Sequence, residues 1–390
     1  MRLSISIIIT TVSENENTEG GYVFMKIFDY GKVKDPQYFQ DGNWVSPCSD
    51  HLYYASEGEC MDGCSSFTES LNGLWKFHYA KNYESVIPGF EKEDYSCEGW
   101  DNIRVPAHIQ MEGFDSPQYT NTQYPWEGRE DIRPGEIPEY FNPVASYVKY
   151  FTVPEHMKGK RLFISFQGAE SALALWMNGT YVGYRADSFT PSDFELTPYV
   201  KEGKNKLAVQ VFKWTGGSWC EDQDFYRFSG LYRDVFLYTE VHIRDLKIRA
   251  LPDETLKQAV LEASCQTWGE GSAVFTLSYK GELCLEDTKD LTGEDTFTWE
   301  VNRPHLWSAE DPALYDLTIR VYGKDGELKE IIPQKVGFRR FEMKENLMML
   351  NGKRIVFKGV NRHEFSSVTG RNVSEEELRK DLTVMKQNNI

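Results

Sequence analysis

Short stretches in which apolar and polar residues alternate, separated by turn signals, run through most of the chain. The segment 74–79, LWKFHY, alternates and predicts a strand. The same kind of pattern predicts six further strands, at residues 147–153, 161–166, 172–177, 180–184, 207–212 and 234–238. Asn178-Gly179 supplies the two-residue turn of a hairpin. Many short strands with turns between them are typical of a β-sandwich, and we expect one of jelly-roll kind over residues 71–240.

A second set of strand-like segments follows. Its members lie at residues 241–249, 258–266, 272–279, 297–301, 314–322 and 331–340. This many strands in about 100 residues fits an immunoglobulin-like sandwich, which we expect over residues 241–341. The last segment leads into the next element with no flexible linker.

The pattern changes again after residue 341. Residues 355–360, IVFKGV, form an apolar run that is typical of a strand buried on both faces. Ser374 and Glu377 have the spacing of a capping box, and apolar residues recur at helical spacing after them. A buried strand followed by a helix is one unit of a parallel β/α barrel, which needs about 250 residues. We therefore expect residues 342–390 to be the incomplete start of such a barrel.

The beginning of the chain lacks sustained periodicity. Residues 1–24 predict a disordered extension, with Met25 favoured as the true start over a weak signal peptide at Met1. Residues 25–70 are aromatic and polar and predict an irregular arm. No segment of the sequence is apolar over the length that spans a bilayer.

Composition narrows the classes of partner. The formal net charge of −17 argues against nucleic acid or an anionic membrane surface as a partner. The seven cysteines are odd in number, imply no disulfide framework and fit a reducing cytoplasm. Cys60 and Cys64 have a metal-like spacing, but no second pair or nearby histidine completes a zinc site.

Two polar clusters in the first predicted sandwich are candidate binding segments. The first, YTNTQYPW from Tyr119, is either an ordinary surface loop or a sugar contact, because Asn121 offers both a donor and an acceptor to a pair of hydroxyls. The second, EDQDFYR from Glu221, is either a solvated acidic turn paired with nearby arginines or a carboxylate site for a hard cation or sugar hydroxyls. Nearby Trp and Tyr residues favour the sugar interpretation.

A third cluster, Arg362-His363-Glu364, follows the predicted barrel strand. The carboxyl ends of barrel strands carry the chemistry in this architecture. Neighbouring residues of a regular strand face opposite ways, so His363 and Glu364 cannot both line one pocket there. We therefore expect a substrate contact from His363 rather than acid catalysis by Glu364.

At these clusters the chain resembles a known family, the large bacterial β-galactosidases of glycoside hydrolase family 2. The stretches that carry the resemblance occur in the family's order over about residues 70–390. They are VPAHIQMEGFDSPQYTNTQYP from Val105, WMNGTYVGYRADSFTPSDFELTPYV from Trp176, EDQDFYRFSGLYRDV from Glu221, LWSAEDPALYDL from Leu306 and LNGKRIVFKGVNRHEF from Leu350. The resemblance implies a sugar-binding jelly-roll, an immunoglobulin-like domain and then a TIM barrel.

The resemblance also implies roles for three residues. Asn121 matches a loop asparagine that reaches the active site, and His363 matches a histidine that contacts the galactosyl group. Asp224 matches the aspartate that helps to bind a sodium ion and the galactose 6-hydroxyl. The acid/base and nucleophilic glutamates of the family, and the magnesium ligands near them, lie further into the barrel, so no catalytic residue is expected among these 390. A secondary magnesium site is not expected either, because its positions hold Ala186 and Gly216.

These expectations define one main hypothesis and two alternatives. The main one is the N-terminal part of a cytoplasmic, retaining β-galactosidase that acts on β-galactosides such as lactose, with this chain alone inactive and the full enzyme a homo-oligomer. One alternative is a non-catalytic carbohydrate-binding or complementing subunit. The other is a family 2 glycosidase with a different sugar specificity.

Overall fold

The computed structural model describes residues 27–221 and 224–390. The extension expected at residues 1–24, the start at Met25, and Asp222 and Gln223 of the acidic cluster lie outside these residues. Within them, no helix has the length and apolar content needed to cross a lipid bilayer. The mainly β architecture expected from the sequence is confirmed.

The arm at residues 27–70 is mostly irregular, but it joins the first sandwich at two places. Its elements are α1 (Gly31–Lys34), β1 (Gln40–Asp41), α2 (Glu57–Asp62) and β2 (Thr68–Ser70). The two short strands each extend a sheet of the sandwich, where β1 pairs with a strand at 180–186 and β2 with one at 235–239. The arm therefore contributes edge strands, which its weak periodicity did not predict.

The first sandwich contains all seven strands expected for it and several shorter ones. Its elements are β3 (Gly73–Ala80), β4 (Asp101–Val105), β5 (Gln118–Thr120), β6 (Val144–Thr152), β7 (Leu162–Phe166), β8 (Ala169–Glu170), β9 (Ala172–Met177), β10 (Thr180–Ala186), β11 (Ser192–Glu195), β12 (Lys204–Phe212), α3 (Ser218–Glu221), β13 (Phe225–Arg227), β14 (Gly230–Leu231) and β15 (Val235–Thr239). Short 3-10 turns occupy Tyr83–Ser85 and Glu155–Met157.

Two antiparallel sheets of this sandwich enclose its core. One has the strand order β1-β10-β9-β12-β6-β3-β4, and the other has the order β11-β7-β15-β2. Apolar side chains from both sheets, Trp75, Tyr147 and Phe194 among them, are almost completely buried between them. Two small ladders, β13 with β5 and β14 with β8, lie outside the main sheets.

The second sandwich has seven strands, one more than the six strand-like segments picked out in the sequence. They are β16 (Ile243–Pro252), β17 (Gln258–Thr267), β18 (Gly271–Tyr279), β19 (Glu282–Leu291), β20 (Glu294–Asn302), β21 (Tyr315–Gly323) and β22 (Leu328–Val336), in sheets of order β16-β17-β20 and β19-β18-β21-β22. The strand missing from the prediction is β19, whose exposed, acidic sequence at a sheet edge lacks the apolar alternation of the others.

The third part corrects one prediction and confirms another. A small sheet of β23 (Phe341–Lys344), β24 (Leu347–Leu350) and β25 (Lys353–Arg354) turns at Asn351-Gly352, and the helix α4 (Glu375–Gln387) begins with the expected capping box at Ser374 and Glu377. The strand expected at residues 355–360 is absent. Only Ile355 bonds to a neighbouring strand among the described residues, donating its backbone N–H to the Met348 carbonyl of β24 at 2.9 Å, and no ladder continues from it. The side chains of Val356 and Phe357 are 63% and 70% exposed.

A buried carboxyl group holds the start of the second sandwich. Glu330 on β22 is 1% exposed and accepts the backbone N–H groups of His242 and Ile243, at 2.5 and 3.0 Å, where the chain enters β16. Burial raises the pKa of Glu330 to about 7 from an ordinary value of 4.5. The folded protein therefore binds this proton more tightly than the unfolded chain does.

This shift makes stability depend on pH in a defined direction. Protonated Glu330 adds roughly 3 kcal/mol to the free energy of unfolding. This stabilisation is complete below pH 4.5 and is lost as the pH rises through 7. Glu330→Gln should remove this dependence, so the melting temperature of the variant relative to the parent should rise between pH 4.5 and 8. Thermal unfolding across that range, with the exposed Glu327→Gln as control, measures the effect. A constant difference between variant and parent would contradict it.

Candidate functional site

The ladder between β5 and β13 brings the first two polar clusters together. Phe225 pairs with Thr120, Tyr226 with Tyr119 and Arg227 with Gln118, although the two strands are more than 100 residues apart in sequence. Arg227 is buried and its Nη2 donates to Thr120 Oγ1 at 3.1 Å. The residue before Asn121 is therefore held by a buried side chain of the second cluster.

Asp224 and Tyr119 form a hydrogen-bonded pair at the end of this ladder. The Tyr119 hydroxyl donates to Asp224 Oδ1 at 2.6 Å, and both residues are exposed to solvent. The hydrogen bond to the carboxylate raises the pKa of the Tyr119 phenol. Asp224 has a positive φ of 49°, a conformation that aspartate tolerates better than most residues. The pair presents an acceptor and a phenol oxygen side by side, which suits a hydroxyl-rich ligand.

Asn121 lies directly beyond β5 on an exposed turn. Its Oδ1 accepts the backbone N–H of Thr122 at 2.8 Å, which fixes the local conformation of the side chain. Further along the loop, the Tyr124 hydroxyl donates to the Trp219 carbonyl at 2.9 Å, and the Tyr124 ring stacks on Trp126 at 5.2 Å. The loop is thus attached to the second cluster through Thr120 at one end and to Trp219, two residues before that cluster, at the other.

The tryptophans near these clusters divide into two groups. Trp126 and Trp214 are buried, with ring centroids 5.7 Å apart, so they pack the base of the loop and do not face a ligand. Trp219 is half-buried and donates from Nε1 to the Glu136 carbonyl at 2.7 Å. The sugar contact that these rings suggested in the sequence is therefore not their main role.

The segment that carries His363 contacts the same region through Phe365, two residues further along the chain. The Phe365 ring stacks on Tyr226 with centroids 4.5 Å apart and an angle of 13°. Tyr226 in turn packs against Tyr119, its cross-strand partner, at 5.2 Å. His363 itself is exposed and lies in irregular backbone, so the expectation that it and Glu364 point to opposite faces of a strand does not apply.

The structure therefore brings together the three segments that carry Asn121, Asp224 and His363. A row of three aromatic rings, Tyr119, Tyr226 and Phe365, connects these segments. Sequence reasoning did not single out Tyr119 or Phe365, although each lies two residues from a residue that it did select.

A buried ion pair holds the loop that leads into β5, the strand before Asn121. Lys213 Nζ and Asp115 Oδ2 are 2.6 Å apart, with side chains 1% and 8% exposed. The same carboxylate oxygen accepts the Nε2 hydrogen of Gln110 at 2.9 Å. Lys213 follows β12 of the large sheet, so the pair attaches the loop to the rigid core of the sandwich.

The sodium ion that the family resemblance implies would lie at Asp224. Asp224 offers a carboxylate, a hard oxygen ligand of the kind that alkali and alkaline-earth cations prefer. Among the described residues, no group of three or more His, Cys, Asp or Glu side chains could hold a metal ion.

Comparisons with known proteins agree with this layout. Residues 68–241 match "Glycosyl hydrolases family 2, sugar binding domain", residues 241–339 match "Glycosyl hydrolases family 2" and residues 341–390 match "Glycosyl hydrolases family 2, TIM barrel domain". The β-galactosidase of Halalkalibacterium halodurans is 49% identical over 351 residues, which cover 88% of this chain and 35% of that protein. The β-galactosidase of Streptococcus thermophilus is 46% identical, covering 89% of this chain and 34% of that protein.

Solved structures show the same fold at lower identity. The β-glucuronidase of Bifidobacterium dentium superposes with a TM-score of 0.66 at 19% identity, covering 88% of this chain and 57% of that one. A β-glycosidase from Bacteroides vulgatus superposes with a TM-score of 0.65 at 25% identity, covering 82% of this chain and 40% of that one.

Two sandwiches followed by the beginning of a barrel domain, with a polar-aromatic surface between the first and the third, are matched in order by three domain models of one glycosidase family. The chain belongs to glycoside hydrolase family 2. It spans about a third of the length of the first two curated relatives that it matches.

The buried pair of Lys213 and Asp115 supports a stability prediction. Lys213→Met should destabilise the first sandwich by roughly 3–5 kcal/mol, because it leaves the Asp115 carboxylate buried without its cation. Adding Asp115→Leu should recover part of that loss, since no uncompensated charge then remains. Chemical denaturation measures both, with Lys335→Met, from an exposed ion pair, as the control. A double variant no more stable than Lys213→Met would contradict this account.

Proposed function

We propose that the chain is the N-terminal part of a β-galactosidase that hydrolyses terminal β-D-galactosides such as lactose with retention. The observation that carries the proposal is the identity of 49% and 46% to two β-galactosidases over nearly nine-tenths of the chain. The solved β-glucuronidases resemble it at about half that identity or less, which supports the shared fold and not their specificity.

In this proposal the aromatic row and its flanking polar groups form one wall of the galactose subsite. The Asp224 carboxylate accepts from a sugar hydroxyl, the 6-hydroxyl in particular, while the Tyr119 phenol holds that carboxylate in place. The Asn121 amide and the exposed His363 imidazole supply further polar contacts from either side. A sodium ion at Asp224 would bring further positive charge to the sugar hydroxyls, and magnesium belongs to the part of the enzyme that carries the glutamates.

The chemical step needs residues from elsewhere. Retaining glycosidases use two carboxyl groups about 5 Å apart, one to protonate the leaving oxygen and one to form the glycosyl-enzyme intermediate. In this proposal both lie in the later part of the barrel. In this chain the described residues of the third part form the small sheet β23-β24-β25, irregular backbone and α4, and Glu364 lies exposed in the irregular backbone.

A second candidate function is that of a subunit complemented by another polypeptide. Three relatives are named β-galactosidase large subunit, and the one from Leuconostoc lactis is 40% identical over 92% of this chain and 60% of that protein. Exposed apolar side chains at 356, 357 and 360 and on α4 would suit contact with further barrel elements. A homo-oligomer and a cytoplasmic location remain parts of the proposal, the latter supported by the seven free cysteines.

The role of Asp224 makes a specificity prediction for the complete enzyme. Asp224→Ala should weaken hydrolysis of galactosides more than hydrolysis of the matching substrates that lack the 6-hydroxyl, because only the former lose a hydrogen bond. Steady-state kcat/KM for nitrophenyl galactoside and fucoside measures the difference, and the exposed Asp94→Ala controls for loss of surface charge. Equal losses on both substrates would rule out the 6-hydroxyl contact.

The missing carboxylates make a prediction for the chain by itself. The purified 390-residue chain should not hydrolyse nitrophenyl β-galactoside. Hydrolysis needs two carboxyl groups on either side of the scissile bond, and in the proposal both belong to the later part of the barrel. A colorimetric assay at high protein concentration measures this. The control is a mock purification from cells that lack the chain. Turnover that increases with the amount of added chain and is absent from the mock preparation would overturn the assignment of catalysis to the later barrel.

A further inference from the structure

The first sandwich contains a pocket that holds one arginine of the third part of the chain. Arg371 lies between α4 and the His363 segment, and its side chain is 11% exposed. The guanidinium pairs with the carboxylate of Glu170, on β8, whose side chain is 4% exposed and 201 residues away in sequence. A buried pair between two domains is a strong positional constraint, because separating it would leave a charge without its partner.

Aromatic rings of the first sandwich complete the pocket, which we call the arginine cage. The ring centroids of Phe189, Phe225, Phe228 and Tyr232 lie 4.4–5.7 Å from the guanidinium carbon of Arg371. The carboxylate of Glu170 is the fifth member of the cage. Two guanidinium nitrogens of Arg371, Nε and Nη1, are buried without a hydrogen-bond acceptor in the described chain, so ring faces are the groups around them. A planar, delocalised cation fits such a cage better than an ammonium does.

The surrounding contacts hold the backbone on either side of Arg371. Ser366 and Gly370 exchange two backbone hydrogen bonds, of 2.7 and 2.9 Å, and Asn372 donates from Nδ2 to the Pro106 carbonyl at 3.0 Å. Gly370 has a φ of +67°, and a Cβ there would lie 2.8 Å from the ring of His108. The loop from Phe365 to Asn372 therefore fits closely against the first sandwich.

His108 forms the floor of this contact and stays neutral. Its ring is fully buried between Phe228 and Tyr232, with centroids at 4.4 and 4.8 Å. Burial, reinforced by the nearby guanidinium, lowers the pKa of His108 to about 3. A neutral imidazole does not compete with Arg371 for Glu170, so the cage stays specific for the arginine.

The cage is continuous with the candidate site. Phe225 follows Asp224 directly, and Phe228 also contacts Phe365, at 6.1 Å, two residues from His363. We propose that Arg371 is a positioning residue: by occupying the cage of the first sandwich, it sets the position of the His363 segment relative to Asp224 and Asn121 in the galactoside subsite. The kinetic consequence rests on the proposed function, but the docking itself does not.

Two measurements test the proposal independently. In the 390-residue chain, Arg371→Met should speed hydrogen exchange of peptides covering residues 361–372, and Arg379→Met should not. Arg379 is a matched control because it is an exposed arginine paired with a carboxylate on α4. Unchanged exchange in Arg371→Met would overturn the docking role.

In the complete enzyme, Arg371→Met should lower kcat/KM for nitrophenyl galactoside by about 10- to 100-fold at a temperature where the protein is folded. Arg371→Lys should give a smaller loss, and Phe365→Ala, which leaves the ion pair intact, should also lower kcat/KM. A lower melting temperature with unchanged kcat/KM would show a purely structural role and overturn the positioning role. An inactive parent enzyme would reject the proposed function instead, and the exchange experiment would still decide the docking.

Discussion

The pairing of β5 with β13 is the constraint on which the candidate site depends. This ladder of three residue pairs aligns two irregular, polar segments that lie more than 100 residues apart in the chain. It places Tyr119 beside Tyr226 and lets the Tyr119 hydroxyl reach Asp224 at the strand's end. Without this register, Asn121 and Asp224 would belong to separate loops, and Phe365 would have no platform to stack on.

Buried charges repeat this kind of attachment elsewhere. Glu330 holds the start of the second sandwich, and the Lys213–Asp115 pair holds the loop that leads into β5. Glu170 holds Arg371 of the third part. In each case the partner is a segment whose backbone is irregular or just entering a strand. Such contacts add little net stability compared with an apolar substitute, but they allow only one arrangement of the parts they join. This suits a protein in which a subsite is assembled from separate domains.

The sequence predicted those parts of the fold whose signal is local. Strands such as 74–79 and 172–177 were predicted from alternation or from a turn next to them, and the capping box at Ser374 predicted the helix. The strand predicted from the apolar run at 355–360 was wrong, because a buried strand needs neighbours along its whole length. The described chain gives only Ile355 such a neighbour, Met348 of β24. The contacts of Tyr119 with Asp224 and of Arg371 with Glu170 were invisible for a related reason, since no local pattern encodes a partner 105 or 201 residues away.

The central claim is that three separate segments of this chain meet one galactose ring. A crystal structure of the complete enzyme with galactose bound tests it most directly. The account predicts polar atoms of Asn121, Asp224 and His363 within hydrogen-bond distance of the same sugar or of one bridging water or ion. A galactose bound with none of these three side chains around it would contradict the account.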